Sequence, residues 1–176
     1  MKVLGVDPGT GATGYGVVET GEQGSLRLVE CGVIRTTPRS RLPTRLHQVY
    51  VALVELLERH RPDVLAVEEA FHARNVRTTL VLGHARGVIL LAGEGAGVII
   101  AEYSPALIKK TVTGRGGALK PQVGFMVAQL LRLTSAPRPA DAADGVAVAL
   151  THLLRDNATR RLGALSQMPQ GRRVAR

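Results

Sequence analysis

The stretch that decides the fold is Lys2-Val3-Leu4-Gly5-Val6-Asp7, followed directly by Pro8-Gly9-Thr10-Gly11. The first five residues have the apolar composition of a buried strand, and the last four have the composition of a turn. An ionisable residue such as Asp7 is rare at the end of a buried strand unless something pairs with it. The sequence therefore predicts a strand that carries a carboxylate at its C-terminal end.

The pattern of the remaining chain extends this strand into one α/β sheet. Two more strands, one beginning at Tyr15 and one over 26–35, follow after short turns and indicate an antiparallel meander. Two further strands are predicted at 63–68 and 98–103, and the helical patterns between them predict crossovers to parallel strands. Helices are predicted at about 43–60, where Pro43 suits the first turn, at 105–112, where Ser104 is the expected N-cap, and at 78–93, 120–133 and 140–155. We expect an α/β fold with a five-stranded mixed sheet flanked by helices.

Length and composition narrow the function. The chain has 176 residues, of which 45% are hydrophobic, and this suits one domain with a full core. Its 23 Lys and Arg outnumber 14 Asp and Glu, for a net charge of +9, which favours an anionic partner such as nucleic acid. The chain has a single cysteine, Cys31, no signal-peptide pattern and no apolar run of bilayer length. We expect a cytoplasmic protein without membrane association, with a domain over 1–157 and a basic, flexible C-terminal tail over 158–176.

Further carboxylates stand where they could join Asp7. Glu68 and Glu69 follow a strand that should pair in parallel with the first, and ligands bind beyond the carboxyl ends of such strands. Only one of the two can face Asp7, and periodicity does not say which. Asp141 and Asp144 share one face of the last helix, although acids also favour helix N-termini in general. An acidic centre in a basic chain points to metal ions and to phosphodiester chemistry on nucleic acid.

Other functions remain open at this stage. An acid before a glycine-rich turn also holds Mg²⁺ beside nucleotide phosphates in actin-like ATPases, although such folds need two domains and this chain has room for one. The alternatives to a structure-selective DNA endonuclease are therefore a small ATP-binding domain, a ribonuclease H-type enzyme that cuts RNA in hybrids, and a DNA-binding module whose acids are only structural.

Several separated motifs, in order along almost the whole chain, resemble the RuvC family of Holliday-junction resolvases. The resemblance rests on Gly5-Val6-Asp7-Pro8-Gly9, Gly14-Tyr15-Gly16, Ala66-Val67-Glu68 with Phe71 and Asn75, Leu82-Gly83-His84-Ala85-Arg86-Gly87, Lys109-Lys110-Thr111-Val112, and Ala140-Asp141-Ala142-Ala143-Asp144. It implies a ribonuclease H-like nuclease domain, a homodimer and metal-dependent cutting of four-way DNA junctions. It favours Glu68 over Glu69, and it implies the branch-migration proteins RuvA and RuvB as partners.

Given this resemblance, the catalytic and DNA-binding residues can be named. Four acids are expected to hold two Mg²⁺ per subunit, about 3.5–4 Å apart, with Mn²⁺ as an alternative. Lys120 is expected to stabilise charge on the reacting phosphate. Phe71 either packs in the core or, as the resemblance favours, wedges against unstacked bases at the junction. The acids are Asp7, Glu68, Asp141 and Asp144, and the basic residues expected to contact DNA are Arg74, Arg77, Lys109, Arg115 and Lys120.

The predicted helix over residues 78–93 is the expected dimer contact. It contains Gly83 and Gly87, which lower helix propensity and therefore call for a close-packing reason. A two-fold axis would place this helix against its own copy.

Overall fold

The structure, a computed structural model, describes residues 1–69 and 76–166. Within these residues the elements follow the predicted order. The strands are β1 (Lys2–Asp7), β2 (Ala12–Thr20), β3 (Leu26–Arg35), β4 (Val64–Glu68) and β5 (Ile99–Tyr103). The helices are α1 (Leu42–His60), α2 (Val76–Gly95), α3 (Pro105–Thr113), α4 (Lys120–Leu130) and α5 (Ala140–Ser166), with a short 3₁₀ turn over Glu22–Gly24.

The five strands form one mixed sheet in the order β3-β2-β1-β4-β5, which confirms the predicted fold class. Antiparallel pairing joins β1 to β2 and β2 to β3, whereas β1, β4 and β5 run parallel. In the parallel register Val6 lies opposite Val67, so Asp7 and Glu68 each follow a paired residue. The C-terminal ends of two adjacent central strands therefore bring these acids to the same edge of the sheet.

Two apolar layers cover the sheet, one on each face. Val3, Val64 and Ala66 pack with α3, α4 and α5. Leu4 and Val67 pack with α1 and α2 instead. Because side chains alternate along a strand, Asp7 and Glu68 continue the series that faces α5. Both acids therefore lie on the same side of the sheet as the helix that carries Asp141 and Asp144.

Helix α5 approaches the sheet so closely that backbone touches backbone. A Cβ atom built on Gly14 would lie 1.9 Å from the carbonyl oxygen of Asp141, and one built on Gly145 would lie 2.5 Å from Tyr15 Cα. A Cβ atom on Gly5 would lie 2.3 Å from the carbonyl oxygen of Gly145. We call these glycines, Gly5, Gly14, Gly16 and Gly145, the glycine seam. Any larger side chain along this seam would push α5 away from β1 and β2.

Some helix ends differ from those predicted by sequence. Helix α4 ends at Leu130 rather than near Leu133, because Arg132 adopts a positive φ of 54°. Helix α5 continues to Ser166, well past the predicted end at Arg155. An ion pair between Asp156 and Arg160, with 2.7 Å between Oδ2 and Nε, supports the added turns at i, i+4 spacing. The division of the chain at residue 157 stays a prediction.

The remaining boundaries agree with the predicted ones to within a few residues, as is usual for helix and strand ends. The predicted cap of α3 is confirmed, since Ser104 Oγ accepts a hydrogen bond from the Leu107 N–H. Across 1–69 and 76–166, every helix is too short or too polar to cross a bilayer.

Candidate active site

A small depression lies at the sheet edge where β1 and β4 end. Its polar wall contains Asp7 from β1, Glu68 from β4, Asp144 from α5, Lys109 from α3 and Lys120 from α4. Its floor is apolar and comes from Pro105, Ile108, Val123 and Ala147. The volume is about 140 Å³, and we call it the acidic depression. Four of the residues predicted to act in catalysis thus meet in one place.

Two carboxyl groups of the acidic depression, those of Asp7 and Glu68, resist ionisation. Burial, followed by the charge of Asp144, raises the pKa of Asp7 to about 6. Burial, followed by the charge of Asp7, raises the pKa of Glu68 to about 8. Lys120 opposes the shift at both acids. Burial and the neighbouring carboxylates therefore outweigh the nearby lysines in setting both pKa values.

Lys120 forms an ion pair with one of the acids. Its Nζ lies 2.6 Å from Asp144 Oδ2. The Lys120 side chain is 66% exposed, whereas that of Asp144 is only 16% exposed. The hydrogen bond to Asp144 is the main reason why the pKa of Lys120 is raised. The ammonium group is therefore charged and bridges the acidic depression and the solvent.

Asp141 lies at the margin of the site rather than in its wall. It begins the first turn of α5, one helical turn before Asp144. Its carbonyl oxygen rests against Gly14, which pairs with Asp7 in the β1–β2 register. Its charge contributes to the raised pKa of Asp7, so the two carboxyl groups interact. The glycine seam is what brings the start of α5 this close to β1.

The donor set suits a hard divalent cation. In the part of the chain that the structure describes, no three His, Cys, Asp or Glu side chains converge closely enough to hold one metal ion. All the candidate donors are nevertheless carboxylate oxygens, which Mg²⁺ prefers. Burial first and neighbouring carboxylates second raise the pKa values of Asp7 and Glu68, and a bound cation would stabilise their ionised forms against both effects. The residues fit such a metal, provided that the acids draw together and Asp144 leaves Lys120.

The residues predicted to contact DNA are spread over a wider surface. Lys109 lines the acidic depression. Arg77 is exposed near the start of α2, and Arg115 is exposed in the link after α3. Arg115 lines a different depression, together with Phe125. Phe71 and Arg74 lie outside the described residues.

Sequence reasoning overlooked how the turn after Asp7 is held. Arg45 of α1 donates from Nε to the carbonyl oxygen of Thr10 at 3.1 Å and to Thr36 Oγ1 at 3.0 Å. Thr13 Oγ1 donates to the carbonyl oxygen of Gly9. No sequence signal distinguishes Arg45 from an ordinary surface arginine on an amphipathic helix. The glycine seam was also overlooked, although Gly14 and Gly16, two residues apart in a predicted strand, were a signal for it.

Comparison with known proteins decides the family. The family model described as "Crossover junction endodeoxyribonuclease RuvC" matches residues 3–152. The chain belongs to the RuvC family. A relative from Syntrophomonas wolfei, named crossover junction endodeoxyribonuclease RuvC, is 46% identical over 153 residues, covering 87% of this chain and 88% of the relative.

Solved structures of RuvC proteins agree with this assignment. The structure of Thermus thermophilus RuvC is 37% identical, with a TM-score of 0.83, and the match covers 90% of this chain and 97% of that one. T. thermophilus RuvC in complex with a Holliday junction substrate is 34% identical, with a TM-score of 0.81, and the match covers 90% of this chain and 96% of that one. These matches confirm the predicted resemblance and the ribonuclease H-like fold. Within the RuvC family the chain is an endonuclease and a hydrolase, not a small ATP-binding domain.

Proposed function

We propose that this RuvC-family protein resolves four-way DNA junctions by two symmetric, metal-dependent cuts. The observation that carries the proposal is the meeting of Asp7, Glu68 and Asp144 in one depression on a strongly basic chain. Carboxylates that repel one another in the depression favour a bound metal ion, and the positive charge of the surrounding chain favours phosphate groups. The T. thermophilus relative in complex with a Holliday junction substrate supports the same substrate class.

In this proposal Asp7, Glu68, Asp141 and Asp144 hold two Mg²⁺ per subunit, with Mn²⁺ as an alternative. When bound, the metals supply an activated water and stabilise the leaving oxygen. Glu68, whose pKa is about 8 without metal, would hold a metal as its ionised carboxylate. Lys120, which pairs with Asp144 in the metal-free site, would stabilise developing charge on the scissile phosphate.

The DNA is held by residues around this centre. Lys109 in the wall of the acidic depression, together with Arg77 and Arg115 on the exposed surface, would contact backbone phosphates. Phe71 and Arg74 follow Glu68 closely in sequence, and we propose that both contact DNA near the scissile phosphate. An aromatic ring at Phe71 would compensate for stacking that the bases lose when the strand reaches the metals.

Two cuts in opposing strands call for two chains, since each chain has one acidic depression. Helix α2 has the surface for such a contact. Its side chains Leu80 and Leu91 are 60% and 64% exposed, although both are apolar. Cβ atoms built on Gly83 and Gly87 would meet nothing within 4 Å, so their close-packing reason lies outside the described chain. A groove of about 520 Å³ runs along this face and can receive the same face of a second copy.

The expected partners and location follow from the proposed substrate. RuvA and RuvB would present branch-migrated junctions to the dimer. A DNA substrate and a single unpaired cysteine, Cys31, favour a cytoplasmic location.

The proposal is tested by incubating the protein with labelled four-way junction, RNA–DNA hybrid and linear duplex DNA, with Mg²⁺ or with EDTA. We expect Mg²⁺-dependent paired nicks in the junction only, and binding that prefers the junction while weakening steeply with salt. Asp7→Asn and Glu68→Gln should abolish cutting and leave junction binding, whereas Glu69→Gln is the matched control. Cutting of the hybrid alone would instead identify a ribonuclease H-type activity, and normal turnover by Glu68→Gln would remove Glu68 from the site.

A further inference from the structure

A second and larger depression adjoins the acidic one on the side of α4 and the start of α5. It has a volume of about 810 Å³. Its walls come mainly from short or cyclic apolar residues, which are Pro121, Gly124, Ala136, Pro137, Pro139 and Ala140. We call it the proline depression. Its size lies within the range of about 300–1,000 Å³ that is typical of small-molecule sites.

The two depressions share a wall. Lys120 and Asp144 line both of them. Any group that enters the proline depression therefore lies directly beside a phosphate that is bound at the acidic depression. A DNA strand delivers such a group by itself, because the nucleoside next to the scissile phosphate is covalently attached to it.

The charges around the proline depression suit a nucleotide. Arg138 is exposed at its wall, and Lys120 is exposed at the boundary with the acidic depression. Asp144 is the one acid among the lining residues, and it is already paired with Lys120. Apolar walls with cations at the margin match a flat base and sugar with a phosphate on either side.

We propose that the proline depression binds the nucleoside adjacent to the scissile phosphate on the cut strand. This inference rests on the proposed junction-cutting function and adds a specificity-determining subsite to it. The base enters between the walls formed by Pro121 and by Pro137–Ala140, and Arg138 contacts the next phosphate. Because the base fills the depression, cleavage depends on a base being present at that one position.

The experiment combines a substitution that fills the proline depression with DNA junctions that lack one base beside the cut. Ala140 is exposed and is the first residue of α5, so Ala140→Leu extends into the depression without displacing a buried side chain. Ala158→Leu, at another exposed alanine of the same helix, is the matched control. Each protein is assayed in single-turnover cleavage on intact junctions and on junctions with an abasic residue immediately 5′ or immediately 3′ of the cut.

Three results are expected together. The wild-type protein cuts one of the two abasic junctions about 10-fold more slowly than the intact one, in line with the modest discrimination of apolar pockets. Ala140→Leu cuts the intact junction about 10-fold more slowly than the wild type does. On the abasic junction that slows the wild type, the variant and the wild type cut at the same rate. Ala158→Leu behaves like the wild type on every substrate.

The proposal is overturned if neither abasic position slows cleavage by the wild-type protein. It is also overturned if Ala140→Leu slows cleavage of the abasic junction by the same factor as it slows cleavage of the intact one. A different occupant of the depression, such as a protein, would give the first of these results. Should Ala140→Leu melt below the assay temperature, Ala136→Leu fills the depression from the loop that precedes α5, and the abasic comparison on the wild type decides by itself. Failure of the proposed function looks different, since no junction would then be cut by any of the proteins.

Discussion

Lys120 and Asp144 are joined across the wall of the acidic depression, with Nζ 2.6 Å from Oδ2. The lysine begins α4 and the aspartate lies in the second turn of α5, so the pair ties two helices together at the site. The same carboxylate is one of the proposed metal ligands. In the proposed mechanism, metal binding would therefore exchange one positive partner of Asp144, the Lys120 ammonium group, for another.

Replacing Lys120 with Met should reduce cleavage by about 10²–10³-fold, because the phosphate loses a positioned cation. The free energy of unfolding should change by only about 0–1 kcal/mol, since the Lys120 side chain is largely exposed. Single-turnover cleavage and thermal melting on the same variant measure the two effects. Lys110→Met, at an exposed lysine of α3 outside the depression, is the control. Unchanged cleavage by Lys120→Met would mean that Lys120 serves only the ion pair.

Glu68→Gln should stabilise the metal-free protein at alkaline pH. A raised carboxyl pKa means that the folded protein holds the proton more tightly than the unfolded chain, so ionisation destabilises the fold. For Glu68 this cost is absent below about pH 4.5, grows as the pH rises and is complete above about pH 8. In EDTA at pH 9 the variant should exceed the wild type by on the order of a few kcal/mol, and near pH 4 the two should agree.

Urea unfolding across this pH range, with Glu69→Gln as the control, measures the effect of Glu68. Saturating Mg²⁺ should reverse the order at high pH, because the metal binds only the folded wild-type site. A wild type that is the more stable protein in EDTA at pH 9 would contradict the crowding of acids in this depression.

Phe71→Ala should impair junction cleavage far more than folding. The ring follows Glu68 by three residues, and base stacking on an aromatic face contributes about 1–3 kcal/mol per base. A core phenylalanine would instead lose roughly 3–5 kcal/mol of stability on truncation. Melting and cleavage per folded molecule separate the two roles. A large fall in melting temperature with unchanged specific activity would speak for a core residue.

Gly87→Arg should convert a dimer into monomers. The substitution fits the isolated chain, since a Cβ atom there meets nothing within 4 Å, but it places a charged side chain in the groove along α2. Sedimentation at micromolar concentration checks the mass, and paired cutting of a junction should become independent nicking. Gly95→Arg, at the end of the same helix, should stay dimeric. If Gly87→Arg sediments as the wild type does, the contact lies on another face.

Gly14→Ala should destabilise the protein and disable the site together. The added methyl group would lie 1.9 Å from the carbonyl oxygen of Asp141, which forces α5 away from β2. Overpacking of this kind typically costs about 1–3 kcal/mol, occasionally more. Gly95→Ala, whose added Cβ meets nothing within 4 Å, should show no such loss. Melting curves for the two variants provide the comparison, and equal stability would argue against a tight seam.

Much of the fold could be predicted because its signals are local. The apolar run before Asp7, the helical spacing after Pro43 and the cap at Ser104 each depend on nearby residues. The parallel pairing of β1 and β4 followed from handedness and from the helix between them. The predicted end of α5 at Arg155 is wrong because polar composition alone does not stop a helix, and Asp156 to Ser166 contains no proline that would stop it.

The site was only partly predictable, since its geometry depends on contacts between distant segments. The resemblance to known resolvases, rather than periodicity, chose Glu68 over Glu69, and the structure supplies the physical reason. Glu68 continues the Val64 and Ala66 face, which packs beneath α5. Lys120 and Asp144, which form an ion pair, are separated by 24 positions in the sequence, and no sequence pattern predicts their contact.

The glycine seam affects which substitutions the core of this protein can accept. Because α5 rests on β1 and β2 largely through main-chain atoms, the height of Asp141 and Asp144 above the sheet depends little on the volume of core side chains away from the seam. Valines and leucines in the layer around the seam can exchange for one another while the carboxylates keep their places. Substitutions in the core can therefore accumulate without moving the acids of the site. Four glycines, which carry a hydrogen atom where other residues carry a side chain, make this possible.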